Sequence, residues 1–189
     1  DDDVLEADCV HHLFKAMSNN RNIKVASSRR RRINEQGEFL PDNVMTKPVF
    51  SQDVLLHGTE LAAFIGKYVY NFVGEPSASM CRRSDLLSFG RNLMSFDGRA
   101  VDGLGDLAIY IKLLRRGDLA LLAQPLSQIR VSTQQYSRTT GNNPSITRDM
   151  VDGFRQRFTR AWPAAEVPDD RRRLHQGSGR YRRRSWHLG

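Results

Sequence analysis

The sequence predicts an α/β protein in which helices pack against a layered sheet. Segments with apolar residues at helical spacing alternate with short apolar runs typical of strands, in the order helix, strand, helix, strand, helix, strand. The chain has 189 residues, 39% of them hydrophobic, so it can build the core of one domain or of part of one. It contains no apolar run of about 18 residues, so no membrane span is predicted.

The first half of the chain supplies two helices and a strand. A helix is predicted to end at Asn19–Asn20 because four apolar residues recur at helical spacing before it. These are Val10, Leu13, Phe14 and Met17. The sequence IKVASS at residues 23–28 is typical of a short strand, and a polar excursion with a turn at Gly37 follows it. Residues 58–71 are predicted to be helical, with Thr59 as the N-cap.

The second half continues the alternation. A turn at residues 74–76 leads into a strand and then into a short helix that stops at Gly90. Residues 105–118 form the clearest helix, since three large apolar residues share one of its faces. These residues are Leu107, Ile111 and Leu114. Two strands separated by a corner at Pro125 come next, and a last helix covers residues 147–161.

The basic charge of the chain is concentrated at its end. Residues 171–189 carry seven arginines and no acid, so the net charge of +8 leaves +1 for residues 1–170. We therefore predict a folded body over residues 1–162 and an Arg-rich, disordered tail over residues 163–189. The near-neutral body gives no indication of nucleic-acid binding. The tail has the charge to bind nucleic acid or anionic lipid, and an altered reading frame at the end of a broken gene is the alternative.

Two features of the sequence bear on the cellular compartment. The first residues are acidic rather than basic and then apolar, which predicts no signal peptide. The two cysteines, Cys9 and Cys81, lack metal-type spacing, and we predict two free thiols, with a disulfide as the alternative. Both features agree with a cytoplasmic protein.

The chain opens with three consecutive carboxylates, in the sequence DDDVL. In an extended segment Asp1 and Asp3 project to the same side and Asp2 to the other. Two convergent carboxylates suit a hard divalent cation that also takes phosphate oxygens and water. The alternative is a solvated acidic loop that caps the following helix.

A second candidate carboxylate stands at the head of the helix at residues 105–118. Asp106 follows Gly105, where the positive end of the helix dipole favours the ionised side chain. An ionised carboxylate can take a proton from a hydroxyl. Simple N-terminal capping is the alternative.

Two polar loops complete the candidates. In the sequence GEPSA, Gly74 can adopt backbone angles that other residues avoid, and Pro76 restricts Glu75 to an extended conformation. This loop can therefore present Glu75 and Ser77 to a ligand. A plain turn is the alternative. Arg130 and Gln135 follow a predicted strand, and an arginine with amide neighbours suits diphosphate oxygens. A polar edge strand and loop is the alternative.

Taken in order, these segments resemble the second half of a family 2 glycosyltransferase. The resemblance covers roughly residues 1–140. Its most specific parts are the acidic triplet and the segment GDLAIYIKLLRRGD followed by QPLSQIR. It implies the GT-A fold, a nucleotide-sugar-binding α/β layer. That layer is expected to be incomplete here, lacking the N-terminal nucleotide-binding half.

The resemblance implies a role for each candidate residue. Asp1 and Asp3 would be the outer residues of the family's Asp-x-Asp motif and would hold Mn²⁺ or Mg²⁺. Asp106 would be the catalytic base. The others would contact the nucleotide sugar or the acceptor: Asp2, Gly74, Glu75, Pro76, Ser77, Arg130 and Gln135. The histidine that many relatives carry two residues after the arginine is absent, because Ser132 stands there.

The implied activity is metal-dependent, inverting transfer of a hexosyl group from a nucleotide sugar to a glycan or other hydroxyl acceptor, as in polysaccharide biosynthesis. Residues 1–162 would be the C-terminal portion of the catalytic domain, and we expect the isolated chain to have little or no activity. The basic tail could contact the inner face of the membrane. One alternative is a non-enzymatic module that binds nucleic acid or an anionic surface through the tail, and another is an inactive remnant.

Overall fold

The computed structural model describes residues 3–96, 98–101, 103–132 and 144–162. Within these ranges, helices flank a mixed sheet of six strands, so the predicted α/β class is confirmed. None of the helices in the described ranges combines the length and hydropathy that crossing a bilayer requires. The predicted tail at residues 163–189 lies outside the described residues.

The elements follow one another closely along the chain. The strands are β1 (Val4–Leu5), β2 (Ile23–Ile33), β3 (Phe39–Leu40), β4 (Val54–Leu56), β5 (Ser79–Cys81), β6 (Ser95–Phe96), β7 (Arg99–Ala100) and β8 (Asp118–Arg130). The α-helices are α1 (Cys9–Ser18), α2 (Gly58–Tyr68), α3 (Arg83–Leu87), α4 (Gly105–Leu114) and α5 (Pro144–Ala161). Two short 3₁₀ segments cover Pro76–Ala78 and Gly90–Asn92.

The two long strands, β2 and β8, form the parallel centre of the sheet. The shorter strands β1 and β4 pair antiparallel with β8, and β3 and β5 pair antiparallel with β2. The register of β1 places Val4 opposite Gln128, near the carboxyl end of β8. Strand β1, and Asp3 immediately before it, is thereby brought to the edge where β2 and β8 end.

Apolar clusters cover both faces of the sheet. The larger one packs α2, α4 and α5 against β2 and β8, and the smaller one lies under α1. The apolar face predicted for α4 is buried throughout: Leu107 is 2%, Ile111 1% and Leu114 0% exposed. In α1 only part of the predicted face is buried, since Val10 and Phe14 are 60% and 62% exposed. Both predicted thiols, Cys9 and Cys81, are free.

Strand β2 is longer than the sequence predicts. The arginines at residues 29–32, predicted as part of a polar excursion, continue the strand to Ile33. Pairing with β8 continues along this half, with Arg30 opposite Ser127 and Arg32 opposite Ile129. Backbone hydrogen bonds to a neighbouring strand therefore outweigh the polar character of the side chains. The predicted turn at Gly37 is confirmed, with φ of +86°.

Strand β8 is continuous where the sequence predicts two strands and a corner. The partner of Ser28 is Leu122 and the partner of Arg29 is Pro125, so β8 carries extra residues at this point. Such a bulge accommodates a proline, which cannot donate to the ladder. The N–H of Ala123 in the bulge donates instead to Asp53 Oδ1 at 2.8 Å.

The predicted N-cap of α2 is wrong. His57 is the N-cap residue and makes no side-chain capping bond. The main-chain N–H of Gly58 donates to Asp118 Oδ1 at 3.1 Å, so a residue distant in sequence supplies the acceptor. Because α2 packs beside the start of β8, the main-chain N–H of Gly58 at the helix start has a hydrogen-bond acceptor without a cap from Thr59.

Candidate functional site

A single turn brings most of the candidate residues together. It covers residues 71–78, between α2 and β5, and is called the Asn71–Ala78 turn below. Gly74 has φ of +111°, which favours glycine. A Cβ at this position would collide with the guanidinium of Arg30, so the turn needs glycine for space as well.

Asp3 contacts this turn from the strand β1 side. The hydroxyl of Ser77 donates to Asp3 Oδ2 at 2.6 Å, and the main-chain N–H of Arg130 donates to Asp3 Oδ1 at 3.2 Å. Asp3 is half-buried. Ser77 from the turn and Arg130 from the end of β8, two residues predicted separately, therefore meet at the carboxylate of Asp3, which immediately precedes β1.

The side chain of Arg130 is directed elsewhere. Its guanidinium donates to the carbonyl oxygens of Asn34 and Glu35 at 2.9 and 3.0 Å, in the turn between β2 and β3. Its main chain, rather than its charge, is what orients Asp3. Asp1, Asp2 and Gln135 lie outside the described residues.

Asp106 contacts the same turn from the first turn of α4. The side-chain amide of Asn71 donates to Asp106 Oδ2 at 2.9 Å and to the carbonyl oxygen of Gly74 at 3.0 Å. Burial raises the pKa of Asp106 and the nearby Glu75 carboxylate adds to the effect, while the main-chain N–H groups of Leu107 and Asp106 lower it. Asp106 is thus a half-buried carboxylate with an enhanced affinity for a proton.

Glu75 is held by a buried arginine. Arg30 is 6% exposed and donates from Nη1 to Glu75 Oε2 and from Nη2 to the carbonyl oxygen of Met45, both at 2.8 Å. The Glu75 side chain is 39% exposed, so the pair is withdrawn from water on the arginine side only. The next residue, Pro76, starts the 3₁₀ segment that carries Ser77 to Asp3.

Tyr110 lies one helical turn after Asp106 on α4. Its hydroxyl is 3.0 Å from Ser79 Oγ, and the residue is 3% exposed. Burial is the main cause that raises the pKa of Tyr110 well above the ordinary value, and the carboxylates of Asp106 and Glu75 act in the same direction. Tyr110 is therefore a neutral hydroxyl at the base of the site.

Of the two predicted metal ligands, Asp1 and Asp3, only Asp3 lies within the described residues. No cluster of three or more His, Cys, Asp or Glu side chains in the described part of the chain could hold a metal. Mg²⁺ is often bound through one or two carboxylates together with substrate phosphates and water. The Asp3 carboxylate, oriented by Ser77 and the Arg130 main chain, fits such a site, because outer contacts of this kind fix a ligand's direction.

A groove open to solvent adjoins this site. Its lining includes Arg30 and Asn71, which also belong to the site. It further includes three half-buried aromatic side chains, Phe50, Tyr70 and Phe72. A mixed lining of apolar rings and a few fixed polar groups is typical of sites for small ligands.

Three residues of the site are missed by sequence reasoning. Arg30 lies in a run of four consecutive arginines, and the sequence does not distinguish the one that contacts the site from the other three. Asn71 comes three residues before Gly74, and an asparagine at that spacing from a glycine is a turn signal that could have been used. Tyr110 follows Asp106 by four residues, so it lies on the same helix face.

No protein-family model matches the chain, and no curated protein matches it either.

Proposed function

We propose that the chain is the acceptor and catalytic-base portion of a metal-dependent, inverting family 2 glycosyltransferase. The observation that carries this proposal is the shared contact of Asp3 and Asp106 with the Asn71–Ala78 turn. Asp3 reaches it through Ser77 at 2.6 Å, and Asp106 through Asn71 at 2.9 Å. The two carboxylates come from segments that are far apart in the sequence, and the resemblance gives them the two roles that must lie in one cleft.

In the proposed reaction an acceptor oxygen forms a bond to the anomeric carbon of the donor sugar. The bond from that carbon to the diphosphate breaks, and its electron pair leaves with the nucleoside diphosphate. The acceptor proton passes to the carboxylate of Asp106. A placed base contributes typically about 10²–10⁴-fold to a rate. A single displacement of this kind inverts the anomeric configuration.

Asp3, and Asp1 by the resemblance, would hold Mn²⁺ or Mg²⁺. A bound divalent ion supplies positive charge against the charge that develops on a leaving diphosphate. Ser77 and the main chain of Arg130 keep the Asp3 carboxylate in place for it. We further propose contacts with donor or acceptor for the remaining predicted residues: Asp2, Gly74, Glu75, Pro76, Arg130 and Gln135.

The groove beside the site is the proposed place for the acceptor. The lining of the groove includes Asn71, whose side-chain amide donates to Asp106, while Asp106 itself is not part of that lining. Aromatic rings such as Phe72 offer an apolar surface for one face of a sugar. A cytoplasmic location, with the basic tail at the inner face of the membrane, is part of the same proposal.

The proposal is tested by Mn²⁺ binding, because little turnover is expected from the chain alone. Mn²⁺ would be titrated into the full chain with a nucleoside diphosphate present, and free Mn²⁺ followed by electron paramagnetic resonance. In Asp3→Asn the affinity should fall by more than about 10–100-fold, which is the range for losing an outer contact of a metal ligand, because Asp3 is proposed as a direct ligand. Asp8→Asn is the matched control, since Asp8 is 53% exposed and bonded to His12.

Equal Mn²⁺ affinity in the wild type and in Asp3→Asn would refute the metal site. Indifference of all three proteins to Mn²⁺, together with retention of nucleic acid by the tail, would favour the alternative of a basic binding module. Turnover of a nucleotide sugar by the isolated chain would support the function, and it would contradict only the expected lack of activity.

A further inference from the structure

We infer that Asn71 is a positioning residue for Asp106, and that it fixes the direction of this carboxylate and favours its ionised form. The inference rests on the proposed function, in which Asp106 receives the acceptor proton. It names a residue that neither the motifs nor the resemblance singled out.

The amide of Asn71 can face Asp106 in only one orientation. Its oxygen accepts from the main-chain N–H of Gly74 at 2.8 Å, and its nitrogen donates to the carbonyl oxygen of Gly74 at 3.0 Å. These two bonds distinguish the oxygen from the nitrogen. The second N–H of the same nitrogen is left to donate to Asp106 Oδ2, at 2.9 Å. Asn71 is therefore a preorganised donor rather than one that must turn to reach the carboxylate.

The other groups around Asp106 make this donor important. Glu75, in the same turn, disfavours a negative charge on Asp106, although Arg30 holds and partly neutralises it. Tyr110, from the same helix, is neutral and bonded to Ser79. The remaining stabilising contacts come from main-chain N–H groups at the start of α4. Within the described residues, Asn71 provides a side-chain hydrogen-bond donor to the Asp106 carboxylate.

The position of Asn71 also links the base to the proposed metal site. Asn71 is bonded to both the main-chain N–H and the carbonyl oxygen of Gly74. From Gly74 the chain continues through Glu75 and Pro76 to Ser77. Ser77 in turn donates to Asp3. A displacement of Asn71 would therefore move the base and the turn that orients Asp3 relative to one another.

The inference is tested by carboxyl ¹³C NMR of the full chain labelled at aspartate. In Asn71→Ala the proton affinity of Asp106 should rise about tenfold, the order of effect expected from losing one hydrogen bond to a charged group. Asn34→Ala is the matched control. Asn34 also holds a turn by accepting main-chain N–H bonds, and it donates to the Glu38 carboxylate at 2.7 Å, but it lies in the turn between β2 and β3. In that variant the titration of Asp106 should be unchanged.

A second measurement needs no substitution. In the wild type, the side-chain ¹⁵N resonance of Asn71 should shift with the same midpoint as the carboxyl carbon of Asp106, because protonation weakens their hydrogen bond. An Asn71 resonance that ignores this midpoint would overturn the inference even if Asn71→Ala fails to fold. An Asp106 titration that is the same in folded Asn71→Ala and in the wild type would overturn it as well.

The test of Asn71 is independent of the test of the proposed function, since the titration of Asp106 requires neither metal nor substrate. If Mn²⁺ binding depends on Asp3 but Asp106 titrates identically in Asn71→Ala, the transferase proposal stands and the role of Asn71 is refuted. If Asp106 responds to Asn71→Ala while Mn²⁺ binding ignores Asp3, the contact between the two side chains is supported and the transferase proposal fails.

Discussion

The two halves of strand β2 pair with the same neighbouring strand, but their side chains have different roles. From Ile23 to Ser28 every side chain except the half-buried Lys24 is buried, and Val25 and Ala26 are each 0% exposed. From Arg29 to Arg32 the side chains are four arginines. Both halves pair with β8 in parallel. The buried half, Ile23–Ser28, supplies stability, whereas the arginine half supplies specific contacts to other segments.

Within the arginine half, one side chain differs from the other three. Those of Arg29, Arg31 and Arg32 contact residues 39–42, near the neighbouring strand β3. Arg30 is directed instead to Glu75 and Met45, and it is the one that is almost fully buried. Four identical residues in one strand therefore separate into a local set, Arg29, Arg31 and Arg32, and a single residue that contacts the candidate site, Arg30.

The largest effect is expected from a substitution in the buried half of β2. Ile23 is 1% exposed in the cluster under α1, so Ile23→Ala should lower the free energy of unfolding by about 2–5 kcal/mol. Urea denaturation measures this change. Val10→Ala, at a position 60% exposed on α1, is the control and should change stability by less than about 0.5 kcal/mol. A similar loss in both variants would contradict the assignment of stability to this half.

A smaller effect is expected where the arginine half meets the site. Gly74→Ala should lower the free energy of unfolding by about 1–3 kcal/mol, from backbone strain and from collision with Arg30. Gly37→Ala separates the two causes, because Gly37 has φ of +86° but no atom within 4 Å of an added Cβ. Urea denaturation of both variants should show the greater loss for Gly74→Ala. Equal losses would mean that the close approach of Arg30 contributes nothing.

The third prediction concerns the sign of a pH dependence at the site. Because burial raises the pKa of Asp106 in the folded protein, the wild type loses stability as pH rises from the ordinary aspartate value through the folded pKa. Asp106→Asn carries no charge and should escape this loss. Its unfolding free energy relative to the wild type should therefore increase across that window, as measured by urea denaturation at several pH values. A difference that is independent of pH would contradict the raised pKa.

The smallest effect is expected from the local set of arginines. Asp42 forms an ion pair with Arg29 at 2.7 Å, with the two side chains 32% and 29% exposed. Partly exposed pairs of this kind contribute about 0–1 kcal/mol, and less at high salt. Asp42→Asn should therefore change the urea midpoint only slightly, and the change should shrink further in about 1 M salt. A loss of stability in Asp42→Asn as large as that in Gly74→Ala would contradict the view that the local arginines contribute less to stability than the contact made by Arg30.

Individual residues show how far the sequence can predict the fold and the site. The spacing of Leu107, Ile111 and Leu114 predicts the buried face of α4, since helical periodicity is a local property. The stiff sequence around Gly74 and Pro76 predicts a turn that the structure contains. The extension of β2 through its arginines is not predicted, because it depends on pairing with β8. The continuity of β8 across Pro125 escapes prediction for the same reason.

The sequence by itself determined the α/β class, the turn at Gly74 and the carboxylates that could carry chemistry. These depend on side-chain periodicity and on backbone preferences within a few residues. Only the tertiary structure decided which polar groups meet: Ser77 with Asp3, Asn71 with Asp106, and Arg30 rather than its three neighbours with Glu75. Such contacts join segments far apart in the chain, and their hydrogen-bond partners are fixed by how the sheet and helices pack rather than by any local pattern.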